Sequence, residues 1–85
     1  MKEFQYVITD SRGLHARPAG QLVKESGGYE STVTILAPRG SADSRRLMAL
    51  MKLAVKQGDQ LTVRVEGLDE EIAASRLLEF FRNNL

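Results

Sequence analysis

His15 is the side chain in this sequence best suited to carry a covalent group near neutral pH, and it is the only histidine among the 85 residues. A neutral imidazole is a good nucleophile and a good leaving group. With no second histidine and no cysteine, clustered His and Cys ligands for a metal are excluded, as are disulfides and thiolate catalysis. We therefore expect neither a metal nor a cofactor. A lone histidine is more often structural than functional, so its neighbours must decide between these two roles.

The neighbours of His15 point to phosphate chemistry. His15 lies where a polar loop gives way to helical spacing, and Pro18 suits the first turn of the helix. A helix N-terminus presents unpaired N–H groups and a partial positive charge, which together bind phosphoryl groups. Phosphate on His15 would lie over the N–H groups of Ala16 and Arg17, and the Arg17 guanidinium can pair with its oxygens. The sequence predicts that the ring of His15 is substantially exposed at this helix N-terminus.

Hydrophobic periodicity predicts four strands and three helices. Alternation predicts strands around residues 4–8, 33–37 and 61–65, and a short strand is expected at residues 41–43. Helical spacing predicts a first helix that ends at Gly27-Gly28 and a second that ends near Gly58; Asp69 is the expected N-cap of the third. The inward residues predicted for these helices are Ala19, Leu22, Val23 and Ser26, then Leu47, Leu50, Leu53 and Ala54, then Ala74, Leu77, Leu78, Phe81 and Leu85. The predicted fold class is α+β, an open-faced sandwich: a four-stranded, mainly antiparallel sheet covered on one face by three helices, in one domain over residues 1–85.

Charge is distributed unevenly along the chain. Residues 12–56 contain eight basic and three acidic residues, although the whole chain has a net charge of only +1. This excess indicates a basic face for an anion or an acidic partner, or else an ordinary solvated surface. Clustered aromatic residues are absent, so we expect no nucleic-acid partner. No apolar run is long enough to span a bilayer, and we expect no membrane insertion.

The segment Gly13-Leu14-His15-Ala16-Arg17-Pro18 resembles the active-site signature of the HPr family, the histidine phosphocarriers of the bacterial phosphoenolpyruvate:sugar phosphotransferase system. Residues 47–53 also resemble the family's second helix, and the resemblance covers nearly the whole chain. It implies that His15 accepts phosphate on Nδ1 from enzyme I and passes it to IIA proteins during sugar uptake, with help from Arg17. It further implies a monomeric, cytoplasmic, stoichiometric carrier rather than an enzyme.

The resemblance also implies a docking patch beside His15, in which Met48 and Met51 are expected to be exposed. Its predicted members are Ala16, Gly20, Lys24, Leu47, Met48, Met51 and Lys52. Methionine suits a surface that must fit several partners.

Two positions depart from the family pattern. Arg46 occupies the position of a regulatory serine, so control by a serine kinase is not expected. Arginine is also a poor N-cap, and the second helix is therefore predicted to begin one or two residues early, capped by Ser44 or Asp43. Arg12 replaces a small polar residue, and it is either a further phosphate ligand or a solvated loop charge.

Three other functions remain as alternatives. The first is a specialised HPr paralogue in a regulatory or nitrogen-linked phosphorelay, or one serving a dihydroxyacetone kinase. The second is a non-phosphorylated interaction module that uses the methionine patch, although His15 and Arg17 argue against it. The third, a nucleic-acid binder, is disfavoured by the composition.

Overall fold

The alternating apolar residues form one antiparallel sheet in the computed structural model, which describes residues 1–85. The strands are β1 (Lys2–Val7), β2 (Thr32–Ala37), β3 (Gly40–Asp43) and β4 (Gln60–Glu66). The helices are α1 (Ala16–Gly27), α2 (Leu47–Lys52) and α3 (Glu70–Asn84). Strand order across the sheet is β1-β4-β2-β3, and every neighbouring pair is antiparallel. None of the three helices is long and apolar enough to cross a membrane.

The inner face of β4 forms the centre of the core, because β4 lies between β1 and β2. Its inward residues Leu61, Val63 and Val65 are fully buried. Val63 lies opposite both Phe4 of β1 and Ile35 of β2 in the sheet register. The helices cover this face with buried residues that include Leu22, Leu50, Leu77 and Phe81. The predicted α+β open-faced sandwich is thus confirmed.

Helix α2 ends at Lys52, so the prediction that it extends to near Gly58 is wrong. The chain turns at Ala54, which has a φ of +50° and is exposed. The Arg39 guanidinium stabilises this turn by donating to the carbonyl oxygens of Leu53 and Ala54, at 3.1 and 2.7 Å. Leu47 is also exposed, so only Leu50 and Leu53 of the predicted inner stripe are buried.

The start of α2 also differs from the prediction. Its N-cap is Arg46, which makes no capping side-chain bond, and neither Ser44 nor Asp43 caps the helix. The Ser44 hydroxyl is buried and donates to the hydroxyl of Ser26 at 2.6 Å. Asp43 instead stabilises the preceding turn: its carboxylate accepts from the N–H of Arg45 and its carbonyl accepts from the N–H of Arg46. This turn fixes the first helical residue at Leu47.

Asp69 precedes α3 as the predicted N-cap residue, but its carboxylate makes no capping bond to that helix. It accepts instead from the N–H groups of Glu30 and Ser31, both at 2.9 Å, and from the Ser31 hydroxyl at 2.5 Å. Asp69 therefore connects the start of α3 to the segment that leads into β2, 38 residues away.

Candidate functional site

The loop before α1 is held against the segment that follows α2, and this contact fixes the position of His15. Gly13 has a φ of +64°, and a Cβ atom there would lie 2.1 Å from the carbonyl oxygen of Val55. The N–H of the next residue, Leu14, donates to that same oxygen at 3.1 Å, and the Leu14 side chain is buried. Only glycine fits at position 13 without moving the loop, because both the φ angle and the close approach exclude a side chain.

His15 is the N-cap residue of α1, as the sequence predicted. Its backbone is extended, and its carbonyl accepts the first helical hydrogen bond, from Ala19, at 3.0 Å. Its side chain makes no capping bond, and the N–H groups of Ala16 and Arg17 have no partner within the chain. Pro18, in the first turn, contributes no N–H group. Two backbone donors beside the imidazole are thus free to bind an anion.

The His15 ring is less exposed than predicted, because it lies against a carboxylate. Its side chain is 24% exposed, and its Nε2 atom lies 3.6 Å from Oδ2 of Asp10. The other carboxylate oxygen of Asp10, Oδ1, accepts from the N–H of Arg12 at 2.8 Å. This N–H, followed by the charges of His15 and Arg12, lowers the pKa of Asp10 below its ordinary 3.8. Asp10 is therefore an anion at neutral pH beside Nε2, whereas Nδ1 is the ring nitrogen not directed at this carboxylate.

Asp10 and His15 lie in a shallow cleft between the first turn of α1 and the end of α3. The other lining residues are Arg12, Arg17, Pro18, Gln21, Asn83 and Asn84. Arg17 is exposed and forms no ion pair within the chain, so its guanidinium is available to a ligand. Arg12 is also exposed, but its Nε atom lies 4.0 Å from the Asp10 carboxylate, which offsets part of its charge.

Sequence reasoning missed four polar residues of this cleft: Asp10, Gln21, Asn83 and Asn84. Asp10 had a local signal, since an acidic residue in a tight loop five positions before a histidine can fold back onto it. Asn83 and Asn84 had none, because only the packing of α3 brings them to the start of α1.

The predicted docking residues lie on α1 and α2, which pack against each other, and we call these seven residues the α1–α2 patch. Its exposed members are Ala16, Lys24, Leu47, Met48 and Lys52, while Gly20 and Met51 are half-buried. Met48 is 68% exposed, but Met51 packs partly against the core, so the prediction that both methionines are exposed is correct for Met48 only. Arg45 and Arg46 are exposed at the start of α2 and add two positive charges next to the patch.

Comparisons with known proteins point to one family. The family model described as the PTS HPr component phosphorylation site matches residues 2–83. The phosphocarrier protein HPr of Lysinibacillus sphaericus is 39% identical over 77 residues, which cover 91% of this chain and 88% of the relative. A solved structure of the histidine-containing phosphocarrier protein of a mycoplasma superimposes with a TM-score of 0.90 at 34% identity, covering 93% of this chain and 90% of the other.

One further solved structure that resembles this chain is oligomeric. It is described as an HPr dimer from Thermoanaerobacter tengcongensis, and it has a TM-score of 0.76 at 31% identity, covering 98% of this chain and 95% of the other. The family model and the identity to curated HPr proteins extend over most of the chain, well beyond the segment around His15. This chain therefore belongs to the HPr family, the phosphocarrier proteins of the phosphotransferase system, which carry a phosphoryl group and are not themselves catalysts.

Proposed function

We propose that His15 accepts a phosphoryl group on Nδ1 from enzyme I and passes it to IIA proteins during sugar uptake. The observation that carries this proposal is the position of the only histidine: it is the N-cap of α1, beside two unpaired N–H groups. A structural histidine would instead be expected to use its ring to cap the helix or to fill the core.

The chemistry requires positioning and charge more than covalent catalysis by the carrier. In the loose, in-line transfer typical of phosphoryl groups, negative charge is spread over the three equatorial oxygens. The N–H groups of Ala16 and Arg17 and the exposed Arg17 guanidinium are placed to neutralise that charge. Arg12 adds a second guanidinium in the same cleft.

The α1–α2 patch is the proposed docking surface for both the donor and the acceptor. It combines the exposed apolar side chains of Leu47 and Met48 with the ammonium groups of Lys24 and Lys52. An apolar centre with a basic rim fits a partner that has an apolar depression surrounded by carboxylates. One carrier must fit several partners in turn, and a flexible methionine side chain permits this.

Incubation with enzyme I and phosphoenolpyruvate, followed by intact-mass measurement, tests the proposal. We expect an acid-labile gain of one phosphoryl group that is lost in His15→Ala and that a IIA protein removes. If phosphate is gained only from a nitrogen-related enzyme I, or is delivered only to a dihydroxyacetone kinase, the chain serves a regulatory branch instead. If no phosphate is gained from any of these donors, the proposal is wrong.

We also propose that serine phosphorylation does not regulate this carrier. Arg46 at the regulatory position has no hydroxyl group, and the nearby Ser44 is 0% exposed with its hydroxyl bonded to Ser26. Incubation with an HPr kinase and ATP should leave the mass unchanged. Stoichiometric phosphate on Ser44 would contradict this part of the proposal.

The proposed carrier acts in the cytoplasm, without nucleic acid. It acts as a monomer, because one accessible histidine and one docking surface are sufficient for transfer. Light scattering after size exclusion should give the mass of one chain, 9.5 kDa. A stable dimer of the kind described for the Thermoanaerobacter relative would contradict the monomeric state.

A further inference from the structure

We propose that Asp10 is a positioning residue for His15: it holds the ring proton on Nε2, so that Nδ1 keeps the lone pair that attacks phosphorus. This inference rests on the proposed phosphorylation of His15. It starts from the 3.6 Å separation between Nε2 of His15 and Oδ2 of Asp10. This separation is longer than a hydrogen bond and lies within the roughly 4 Å range of an ion pair.

The Asp10 carboxylate is itself held in place, which is what a positioning role requires. Its Oδ1 atom accepts from the N–H of Arg12, which leaves Oδ2 for the imidazole. The Asp10 backbone is fixed on both sides: its N–H donates to the carbonyl of Leu85 at 3.0 Å, and its carbonyl accepts from Gly13 at 2.9 Å. The side chain is only 23% exposed, so water competes weakly for its free oxygen.

A carboxylate at one ring nitrogen determines which tautomer of a neutral imidazole is present, since only an N–H can face it. With the proton on Nε2, the lone pair of Nδ1 forms the new P–N bond. The bond from phosphorus to the donor nitrogen breaks, and its electron pair stays with that nitrogen. The ring retains its Nε2 proton and becomes positively charged, and the Asp10 carboxylate stabilises that charge.

The remaining charged groups of the cleft are Arg12 and Arg17, and both are cations. Neither can replace the carboxylate as the partner of a protonated Nε2. The effect of removing Asp10 is therefore not masked by another acidic side chain of the cleft.

The test compares Asp10→Ala and Asp10→Asn with the matched control Asp43→Ala. Asp43 makes the same local contacts as Asp10, since its Oδ1 accepts the N–H of Arg45 at 2.9 Å and lies 3.6 Å from the Nε atom of that arginine. It is not among the residues of the His15 cleft. Asp10→Asn has a second use: its amide oxygen can keep the bond to Arg12 while its NH₂ group faces Nε2. A change at the His15 ring that is caused merely by loosening of the loop would then appear in Asp10→Ala only.

The readout is the 15N chemical shift of each ring nitrogen of His15, measured before and after phosphorylation by potassium phosphoramidate, which needs no partner protein. In the unphosphorylated ring at high pH, Asp10→Asn should shift the proton from Nε2 towards Nδ1. In the phosphorylated ring, both Asp10 variants should change the 15N shift of Nε2, because the carboxylate that faces the Nε2 proton is gone. Asp43→Ala should match the wild type in both measurements.

Wild-type behaviour of Asp10→Asn in both measurements would overturn the inference. An equal change in Asp43→Ala would overturn it as well, because the effect would then come from loss of any loop carboxylate. Failure of enzyme I to phosphorylate the wild-type chain would instead count against the proposed function. It would leave the effect of Asp10 on the ring measurable, since these measurements use a chemical donor.

Discussion

At the scale of single residues, Gly13 and Gly20 lie on either side of His15 in the sequence but have opposite surroundings. A Cβ atom at position 13 would lie 2.1 Å from the Val55 carbonyl oxygen at a φ of +64°, whereas one at position 20 would meet nothing within 4 Å. We expect Gly13→Ala to lower the free energy of unfolding by at least about 2 kcal/mol, from backbone strain and overlap together. We expect Gly20→Ala, in the interior of α1, to raise it by up to about 1 kcal/mol, because alanine is the better helix former.

Urea denaturation of the two variants measures both changes, and each serves as the control for the other. A loss of stability in Gly20→Ala would show that the helix face at this position is more crowded than the structure indicates. Little change in Gly13→Ala would mean that the loop can leave Val55 without cost, and then the position of His15 would not be fixed by this contact.

Arg17 is expected to contribute to phosphoryl transfer and very little to the fold. Its guanidinium is exposed and forms no ion pair, so Arg17→Ala should change the free energy of unfolding by no more than about 0.5 kcal/mol. A charge-assisted hydrogen bond to phosphate contributes about 1.5–3 kcal/mol, so transfer at saturating partner should slow roughly ten- to hundredfold. Rapid-quench measurement of transfer from phosphorylated enzyme I gives the rate.

Arg64→Ala is the matched control for Arg17→Ala. Arg64 is on β4, between the inward-facing residues Val63 and Val65, and pairs with Glu3 at 2.9 Å. Its removal lowers the net charge by the same amount as Arg17→Ala and leaves the His15 cleft unchanged. Equal slowing in the two variants would assign the effect to net charge, and no slowing in Arg17→Ala would remove Arg17 from the mechanism.

At the scale of elements, α2 combines an inner side that packs on the core with an outer side that is free for partners. Met48 is the most exposed apolar side chain of this helix, so Met48→Asp should leave the fold intact. It should weaken binding of enzyme I about tenfold or more, as expected when a charge replaces an apolar contact in an interface. Isothermal titration calorimetry with enzyme I measures the affinity.

Leu68 provides the control for Met48, because it is also an exposed apolar side chain, with 94% exposure. It lies just before α3, and the other end of α3, at Asn83 and Asn84, lines the His15 cleft. Leu68→Asp adds the same charge and should leave the affinity for enzyme I unchanged. Weaker binding in Leu68→Asp alone would place the interface at the other end of the molecule.

The N-terminus of α2 is an uncapped helix end, because Arg46 makes no capping bond and the first turn contains no acidic residue. Arg46→Ser should raise the free energy of unfolding by about 0.5–2 kcal/mol, because the hydroxyl can accept a backbone N–H that now has no side-chain partner. Arg46→Ala removes the same positive charge without supplying a cap. If chemical denaturation gives the two variants equal stability, the gain comes from charge alone.

Predictions from the sequence were correct where structure depends on local periodicity. They failed where it depends on contacts with other segments of the chain. Leu61, Val63 and Val65 predicted the central strand because alternation directly reflects one buried face. The end of α2 was mispredicted because Arg39, from another turn, binds the carbonyl groups around Ala54. Asp10 was missed for a related reason. Its approach to His15 depends on the turn at Gly13, and that turn is stabilised by contact with Val55.

At the scale of the whole molecule, the carboxylates of Asp69 and Asp59 connect segments that are distant in sequence, and both make the stability depend on pH. The Ser31 hydroxyl, followed by the N–H of Glu30, lowers the pKa of Asp69 below its ordinary 3.8. The N–H of Lys56, followed by the Arg39 guanidinium, lowers the pKa of Asp59 in the same way. A carboxyl group whose pKa is lower in the folded state binds protons more weakly there than in the unfolded chain. Its stabilising effect is therefore complete above the unfolded-state pKa and is lost as the pH falls through the folded-state pKa.

The free energy of unfolding should accordingly be level from neutral pH down to about pH 5 and then fall with further acidification. Asp69→Asn should be less stable at pH 7, because the amide supplies only one acceptor oxygen for three donors. It should also lose less stability between pH 5 and pH 2 than the wild type, since one of the linked protonations is gone.

Glu79→Gln is the control, because Glu79 is exposed and forms neither an ion pair nor a side-chain hydrogen bond. Urea denaturation at a series of pH values measures both slopes. If Asp69→Asn has the wild-type acid slope, Asp69 does not stabilise the fold as an anion, and the connection between α3 and the start of β2 must depend on packing around Ser31 and Gly67 instead.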